Sequence, residues 1–239
     1  KLFQMRGIDS MRSIKATGWI LGIVTTAIFS CKSYEEQKRE LPDTSDRGTI
    51  HVSADESFRP VIDEQVQVYE SNHPGTRIIV DYKPEAECLK DLLNDSVRMV
   101  IVTRRASPDE KEVIADSLRL QARSMVVARD GISVVLPPDS PDTLLTMKDI
   151  REILTGKFKK NLIPVFDGVK ATSTVRFIID SVLNGDSLTP KAMAARSSEG
   201  VIDYISKNSD VIGFIGVSWI GNREDSSYLS FSKKVRVAY

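Results

Sequence analysis

A regular alternation of strand-like and helical runs, beginning at Gly48, constrains the fold of this chain more than any other feature. Residues 49–53 predict a strand, and the helical run that follows has its apolar side chains on one face. Further strand-like runs lie at residues 76–82, 99–102, 124–128, 132–136, 162–166 and 211–219. Helical runs such as 85–93 and 175–183 separate them, which predicts an α/β fold with mostly parallel sheets. We expect the caps of three further helices at Ser107, where Glu110 completes a capping box, at Thr146 and at Ser198.

The net charge and the absence of known catalytic motifs limit the classes of function that this chain can have. Lys and Arg total 33, as do Asp and Glu, so the zero net charge argues against a nucleic-acid partner. An anion site must then be built locally from a few donors. The sequence has no GxSxG, HExxH or P-loop motif and no metal-ligand spacing. We therefore predict a protein that is not an enzyme and that needs neither a metal nor a cofactor.

The first 31 residues predict an export signal. A basic stretch at residues 11–15 precedes an uncharged run, residues 16–30, which is shorter than the roughly 20 residues of a spanning helix. Cys31 follows Ser30 in a pattern that resembles a bacterial lipobox, so we expect Cys31 to carry a lipid in the cell envelope. An uncleaved anchor helix is the alternative. Residues 32–47 are rich in charge and predict a flexible tether.

Three loops rich in hydroxyl groups each follow a strand and enter a helix. They span residues 53–57, 103–107 and 171–174. In open α/β sheets, ligands bind beyond the carboxyl ends of strands. Helix N-termini with Ser or Thr hydroxyls can hold an oxyanion there. The alternative is that these hydroxyls only cap their helices.

The order of residues from Gly48 onwards resembles the phosphate-binding component of ABC-type phosphate importers, a type II periplasmic binding protein family. The resemblance is most specific at residues 128–137, 145–156, 201–205 and 211–217. It implies two lobes that close on a ligand between them. The corresponding boundaries are lobe 1 at 48–130, lobe 2 at 131–212, and a return to lobe 1 at 213–239.

The resemblance also implies a set of ligand residues. Ser57 falls in the first hydroxyl loop of the family, and Thr103 falls where the second loop has a serine. The third loop, which is Ser-Gly-Thr in the family, is represented by Thr172, Ser173 and Thr174, without the central glycine.

Two charged positions depart from the family pattern. Arg104 stands where the family has a carboxylate, and Phe166 or Asp167 stands where it has an arginine. We hypothesise that Arg104 supplies the missing cation. The alternatives are that Arg104 is a solvated surface residue, or that Arg176 reaches inward from its helix.

The missing carboxylate has two candidate replacements in the first loop, Asp55 and Glu56. A carboxylate favours an anion that still carries a proton, such as monohydrogen phosphate, and opposes sulfate. The sequence therefore predicts a ligand site that discriminates by protonation.

Residues 235–239 have the pattern of a strand that has just begun. The family continues with helices that complete the first lobe, so we expect an incomplete first lobe at the C-terminus. Two explanations stay open, a truncated copy or a tail that is dispensable here.

Together these features predict a monomeric, lipid-anchored protein that captures phosphate or a related oxyanion and delivers it to an ABC permease. One alternative is a sensor or adhesin of the same fold in the cell envelope. A less favoured alternative is a hydrolase of phosphate esters, which would need a nucleophile and base or a metal cluster.

Overall fold

Two β-sheets organise the folded part of the chain. The first sheet is parallel, has the order β2-β1-β3, and consists of β1 (Arg47–Asp55), β2 (Gly75–Lys83) and β3 (Met99–Ile101). The second sheet, of order β6-β5-β7-β4-β8, contains β4 (Ile132–Leu136), β5 (Ile163–Phe166), β6 (Met193–Ala194), β7 (Val211–Gly216) and β8 (Arg236–Val237). β5 runs parallel to β6 and β7, whereas β4 runs antiparallel to β7 and β8.

This computed structural model describes residues 44, 46–141, 143–168, 170, 172–221 and 231–239. The predicted signal segment with Cys31 and the predicted tether up to residue 43 lie outside the described residues. Within the described ranges, no helix combines the length and apolar character needed to cross a membrane.

Helices connect most of the strands. They are α1 (Arg59–Asn72), α2 (Glu85–Leu93), α3 (Pro108–Leu118), α4 (Met147–Thr155), α5 (Ser173–Phe177), α6 (Ser198–Ile205) and α7 (Ser218–Gly221). A 3-10 turn, Glu56–Phe58, follows β1, and a π-helical segment, Ile178–Val182, continues α5. The predicted α/β class with mostly parallel strands is confirmed.

Local side-chain hydrogen bonds fix two predicted helix starts. The Ser107 hydroxyl accepts from the Glu110 N–H (3.1 Å), and the Glu110 carboxylate accepts from the Ser107 N–H (2.7 Å). Thr146 and Asp149 exchange the same pair of bonds at the start of α4 (3.2 and 2.8 Å). Each arrangement is a capping box, so both starts are confirmed.

An apolar core packs against each face of the five-stranded sheet, and Phe166 and Phe214 belong to one of them. The rings of Phe166 and Phe214 stack there with centroids 5.1 Å apart. Gly213 on β7 allows close packing, because a Cβ at that position would lie 2.7 Å from Cγ2 of Val135. Close packing on both faces of this sheet therefore supports the loops at its strand ends.

The structure corrects several local predictions. Residues 124–128 do not form a strand, and Val126 is 68% exposed. Strand propensity takes effect only when a neighbouring strand pairs with the segment, and no described strand does so here. β7 ends at Gly216 rather than at residue 219, and a short helix follows. The residue that caps α6 is Ser197, one position before the predicted cap, Ser198.

The predicted return to the first lobe at residue 213 falls inside β7. Residues 213–216 and β8 both pair within the five-stranded sheet, together with β4 and β5. The structure thus groups these residues with strands predicted for the second lobe. The division into two closing lobes stays a prediction.

Candidate functional site

The first hydroxyl loop turns sharply after β1 because Asp55 caps it. Oδ1 of Asp55 accepts hydrogen bonds from the N–H (3.0 Å) and the hydroxyl (2.8 Å) of Ser57. Oδ2 is buried and has no hydrogen-bond partner in the described part of the chain. Burial raises the pKa of Asp55, and the hydroxyls of Ser173 and Ser57 offset this only in part.

The third loop meets the first at this point. The Ser57 and Ser173 hydroxyl oxygens lie 3.4 Å apart although 116 residues separate them in the chain. Ser173 and Thr174 are buried at the start of α5. Thr172 has the predicted alternative role, because its hydroxyl accepts from the Val175 N–H (3.3 Å) and caps the helix.

The second loop is joined to the third by Arg176. The guanidinium donates through NH2 to the hydroxyl of Thr103 and through Nε to Oε2 of Glu85 (2.7 Å). The Thr103 N–H donates to Oε1 of Glu85 (2.9 Å). Burial acts to raise the pKa of Glu85, but the hydrogen bonds from Arg176 and Thr103 outweigh it and lower the pKa. All three predicted loops therefore converge.

Arg104, the predicted cation, has a different partner. Its two terminal nitrogens donate to the two carboxylate oxygens of Glu110, both at 2.7 Å. This bidentate bond lowers the pKa of Glu110 to about 2. The Arg104 guanidinium is thus committed to the start of α3, whereas the alternative candidate, Arg176, contacts the second loop directly.

Glu56, one of the predicted carboxylates, is committed to α6. Its carboxylate accepts from the N–H (3.2 Å) and the hydroxyl (2.9 Å) of Ser198. Burial raises the pKa of Glu56 despite these bonds. The carbonyl of Ser57 accepts from the Trp219 Nε1–H (3.1 Å), so the segment after β7 also holds the first loop.

Asp167 is an acid of this region that the sequence prediction did not assign as a ligand residue. It directly follows β5, is 8% exposed, and accepts from the Gly168 N–H (3.0 Å). Burial, together with the negative charges of Glu56 and Asp55, raises the pKa of Asp167 to about 7. Its position directly after a buried strand was a signal in the sequence. Glu85 begins a helix two residues after β2 ends, and Arg176, which the sequence analysis named only as an alternative, lies within a helix, so neither residue directly follows a strand.

The described residues include no group of three or more His, Cys, Asp or Glu side chains arranged to hold a metal ion. The chemistry available at the three loops consists of hydroxyl and N–H donors, one arginine and several buried acids. Such a set can hold a small polar ligand by hydrogen bonds.

A family model described as a PBP superfamily domain matches residues 41–238. No curated protein sequence matches the chain.

Solved structures resemble the chain over most of its length. A candidate phosphate ABC transporter substrate-binding protein from Clostridium perfringens, with phosphate bound, has 17% identity and a TM-score of 0.65, covering 80% of this chain and 75% of that one. An ABC-type phosphate transport receptor from Vibrio cholerae has 16% identity and a TM-score of 0.52, with 80% and 76% covered. The OxyR2 regulatory domain C206S mutant from Vibrio vulnificus has 13% identity and a TM-score of 0.58, with 83% and 82% covered. These likenesses confirm the type II periplasmic binding protein fold.

Proposed function

This chain belongs to the PBP superfamily, and from that premise we propose that it is an exported lipoprotein that captures phosphate or a related oxyanion for an ABC importer. The coarser part of this statement, a solute-binding role, follows from the family. The ligand, the lipid at Cys31 and the permease are our proposal.

The convergence of three loops from two sheets is the observation that carries the proposal. Ser57 and Ser173 bring two hydroxyls within 3.4 Å of each other, and Arg176 ties Thr103 to the same region. Hydroxyls can rotate to donate to several oxyanion oxygens, and a guanidinium suits phosphate geometry. A tetrahedral oxyanion has acceptor oxygens directed to several sides, so it can accept from donors on all three loops.

The buried carboxylates favour an oxyanion that carries a proton. Oδ2 of Asp55 is unpartnered in the described part of the chain and can accept that proton in a hydrogen bond. Monohydrogen phosphate and arsenate provide one, whereas sulfate at neutral pH would set lone pairs against Asp55. Asp55 is therefore our preferred replacement for the family carboxylate, because Glu56 is occupied by Ser198.

A thermal-shift screen with phosphate, arsenate, sulfate and molybdate tests the proposal. A ligand that binds the folded state raises the melting temperature according to its concentration relative to its Kd. We expect phosphate and arsenate to stabilise the protein more than sulfate and molybdate do. If none of the four anions changes the melting temperature, capture of an oxyanion is ruled out.

A sensor of the same fold is the second candidate, since an OxyR2 regulatory domain shares the architecture. A sensor would not require tight oxyanion binding, so the same screen separates the two. A hydrolase is less favoured, and a generic phosphatase assay should show no turnover.

The envelope location is tested separately. We expect the wild-type protein, expressed in bacteria, to incorporate radiolabelled fatty acid and a Cys31→Ser variant not to, because the substitution removes the thiol that would be lipidated. Membrane association of the wild-type protein without any label would favour an uncleaved anchor helix.

A further inference from the structure

The contacts of Glu85 point to a built-in competitor for the ligand. We propose that the Glu85 carboxylate occupies the donors that Thr103 and Arg176 would offer to an oxyanion, so that a ligand gains those donors only by displacing Glu85. This inference rests on the proposed function and identifies which residue regulates access to that site.

Glu85 engages every donor that Thr103 provides. Its Oε1 accepts from both the N–H and the hydroxyl of Thr103, and its Oε2 accepts from Nε of Arg176. NH2 of Arg176 lies 3.4 Å from Oε1, and NH1 lies 3.6 Å from Oδ2 of Asp180. The guanidinium therefore already faces carboxylate oxygens on both sides.

A residue that only positions Arg176 would not need this arrangement. The N–H of Thr103 is fixed by the backbone and requires no orientation by a side chain, yet Glu85 occupies it at 2.9 Å. A positioning carboxylate would also leave the Thr103 hydroxyl free for the ligand. The bonds match instead what a bound oxyanion would make.

The Glu85 side chain is itself buried, whereas the arginine is partly open. The side chain of Glu85 is 4% exposed and that of Arg176 is 36% exposed. An incoming anion can thus reach the guanidinium and compete for it. Glu85 is a strong competitor for the anion, because a carboxylate tethered beside the guanidinium acts at a high effective concentration.

The charges around Arg176 also oppose the entry of an anion. The charge of Arg176 is formally balanced by Glu85, and the Asp55 carboxyl lies close enough to Glu85 for the two to interact electrostatically. A dianion entering this region meets no net positive charge until Glu85 moves away or is neutralised. Replacement of Glu85 by glutamine keeps the shape of the side chain, removes its negative charge and puts an amide donor in place of one acceptor oxygen.

Calorimetric titration with inorganic phosphate tests the inference on wild type, Glu85→Gln and Glu87→Gln. Glu87 lies on the same helix with its side chain exposed, so its variant removes an equal charge without touching the site. We expect Glu85→Gln to bind phosphate about 10-fold or more tightly than wild type, the effect of one charged hydrogen bond. Glu87→Gln should bind like wild type.

The outcomes separate this inference from the proposed function. If wild type binds phosphate and Glu85→Gln binds equally or more weakly, Glu85 is not a competitor, and the oxyanion function stands. Binding by Glu85→Gln alone would support the competitor and would contradict capture of phosphate by the wild-type protein. If neither binds phosphate, arsenate, sulfate or molybdate, both ideas fail.

A measurement on wild type covers the case in which Glu85→Gln does not fold. The Nε–H proton signal of Arg176, assigned by its loss in Arg176→Lys, should shift when phosphate replaces the Glu85 carboxylate. Saturation with phosphate without any shift of that signal would overturn the inference.

Discussion

Arg104 and Arg176 have partners that no local sequence pattern reveals. Arg104 forms a bidentate pair with Glu110, whereas Arg176 crosses from α5 to Thr103 and Glu85. We predict that Arg104→Ala binds phosphate within about twofold of wild type and lowers the free energy of unfolding by about 1 kcal/mol. Calorimetry and urea denaturation measure the two effects.

The comparison variant for Arg104→Ala is Arg176→Gln, which removes the cation next to Thr103. We expect this variant to bind phosphate about 10- to 100-fold more weakly, as loss of a charged hydrogen bond implies. A large loss of affinity in Arg104→Ala, with little change in Arg176→Gln, would restore Arg104 as the cation of the site.

Asp167 should make stability depend on pH. Its pKa is about 7 in the folded state and 3.8 when unperturbed, so the folded state binds the proton more tightly. This proton contributes stability that is complete below about pH 4 and is lost as the pH rises to about 7. Between pH 5 and pH 8, the loss from Asp167 is on the order of 2 kcal/mol.

The test for Asp167 is urea denaturation of wild type and Asp167→Asn at pH 5 and pH 8. Asparagine keeps the oxygen that accepts from Gly168 but does not titrate. The free energy of unfolding of the variant should therefore rise relative to that of wild type as the pH rises. Carboxylates with lowered pKa, such as Glu85, act equally in both proteins and cancel. An identical pH profile for the two proteins would contradict the burial argument.

At the level of elements, the predictable features were those that the chain encodes locally. The capping boxes of α3 and α4 each lie within four consecutive residues, and both were identified from the sequence. The run at residues 124–128 has equally clear strand composition, but strand formation depends on a partner elsewhere in the chain. Helix starts are therefore more predictable here than strands.

Substitutions at two valines, one in the run at residues 124–128 and one on β4, test whether only the second lies in a buried strand. Val126 is 68% exposed outside any described strand, and Val135 is fully buried on β4. Threonine has nearly the shape of valine but carries a hydroxyl in place of one methyl group. We predict that Val126→Thr changes the free energy of unfolding by less than about 0.5 kcal/mol, and that Val135→Thr lowers it by about 1 to 3 kcal/mol.

Urea denaturation at one pH gives both values for the valine pair. A similar cost at the two positions would mean that Val126 is buried in solution. The predicted strand at residues 124–128 would then regain support.

At the scale of the whole molecule, topology determines which loops meet. The sequence placed hydroxyl loops after three strands, and parallel sheets bring such strand ends together, so the convergence of Ser57 and Ser173 was predictable. The role of Glu85 was not, and the inward reach of Arg176 was only one alternative, because their side-chain directions depend on packing between α2, α5 and the second loop.

The central claim is that loops from the two sheets jointly bind an oxyanion. Ser173 tests it well, because its hydroxyl faces Ser57 across these loops. The matched control is Ser71→Ala, because the exposed hydroxyl of Ser71 donates to the Gln67 carbonyl on α1, within the same helix.

Equilibrium dialysis against radiolabelled phosphate is the most direct measurement. We predict saturable binding of one phosphate per chain for wild type and Ser71→Ala, and binding about 10- to 100-fold weaker for Ser173→Ala. Absence of phosphate binding by wild type, or equal binding by all three proteins, would contradict the claim.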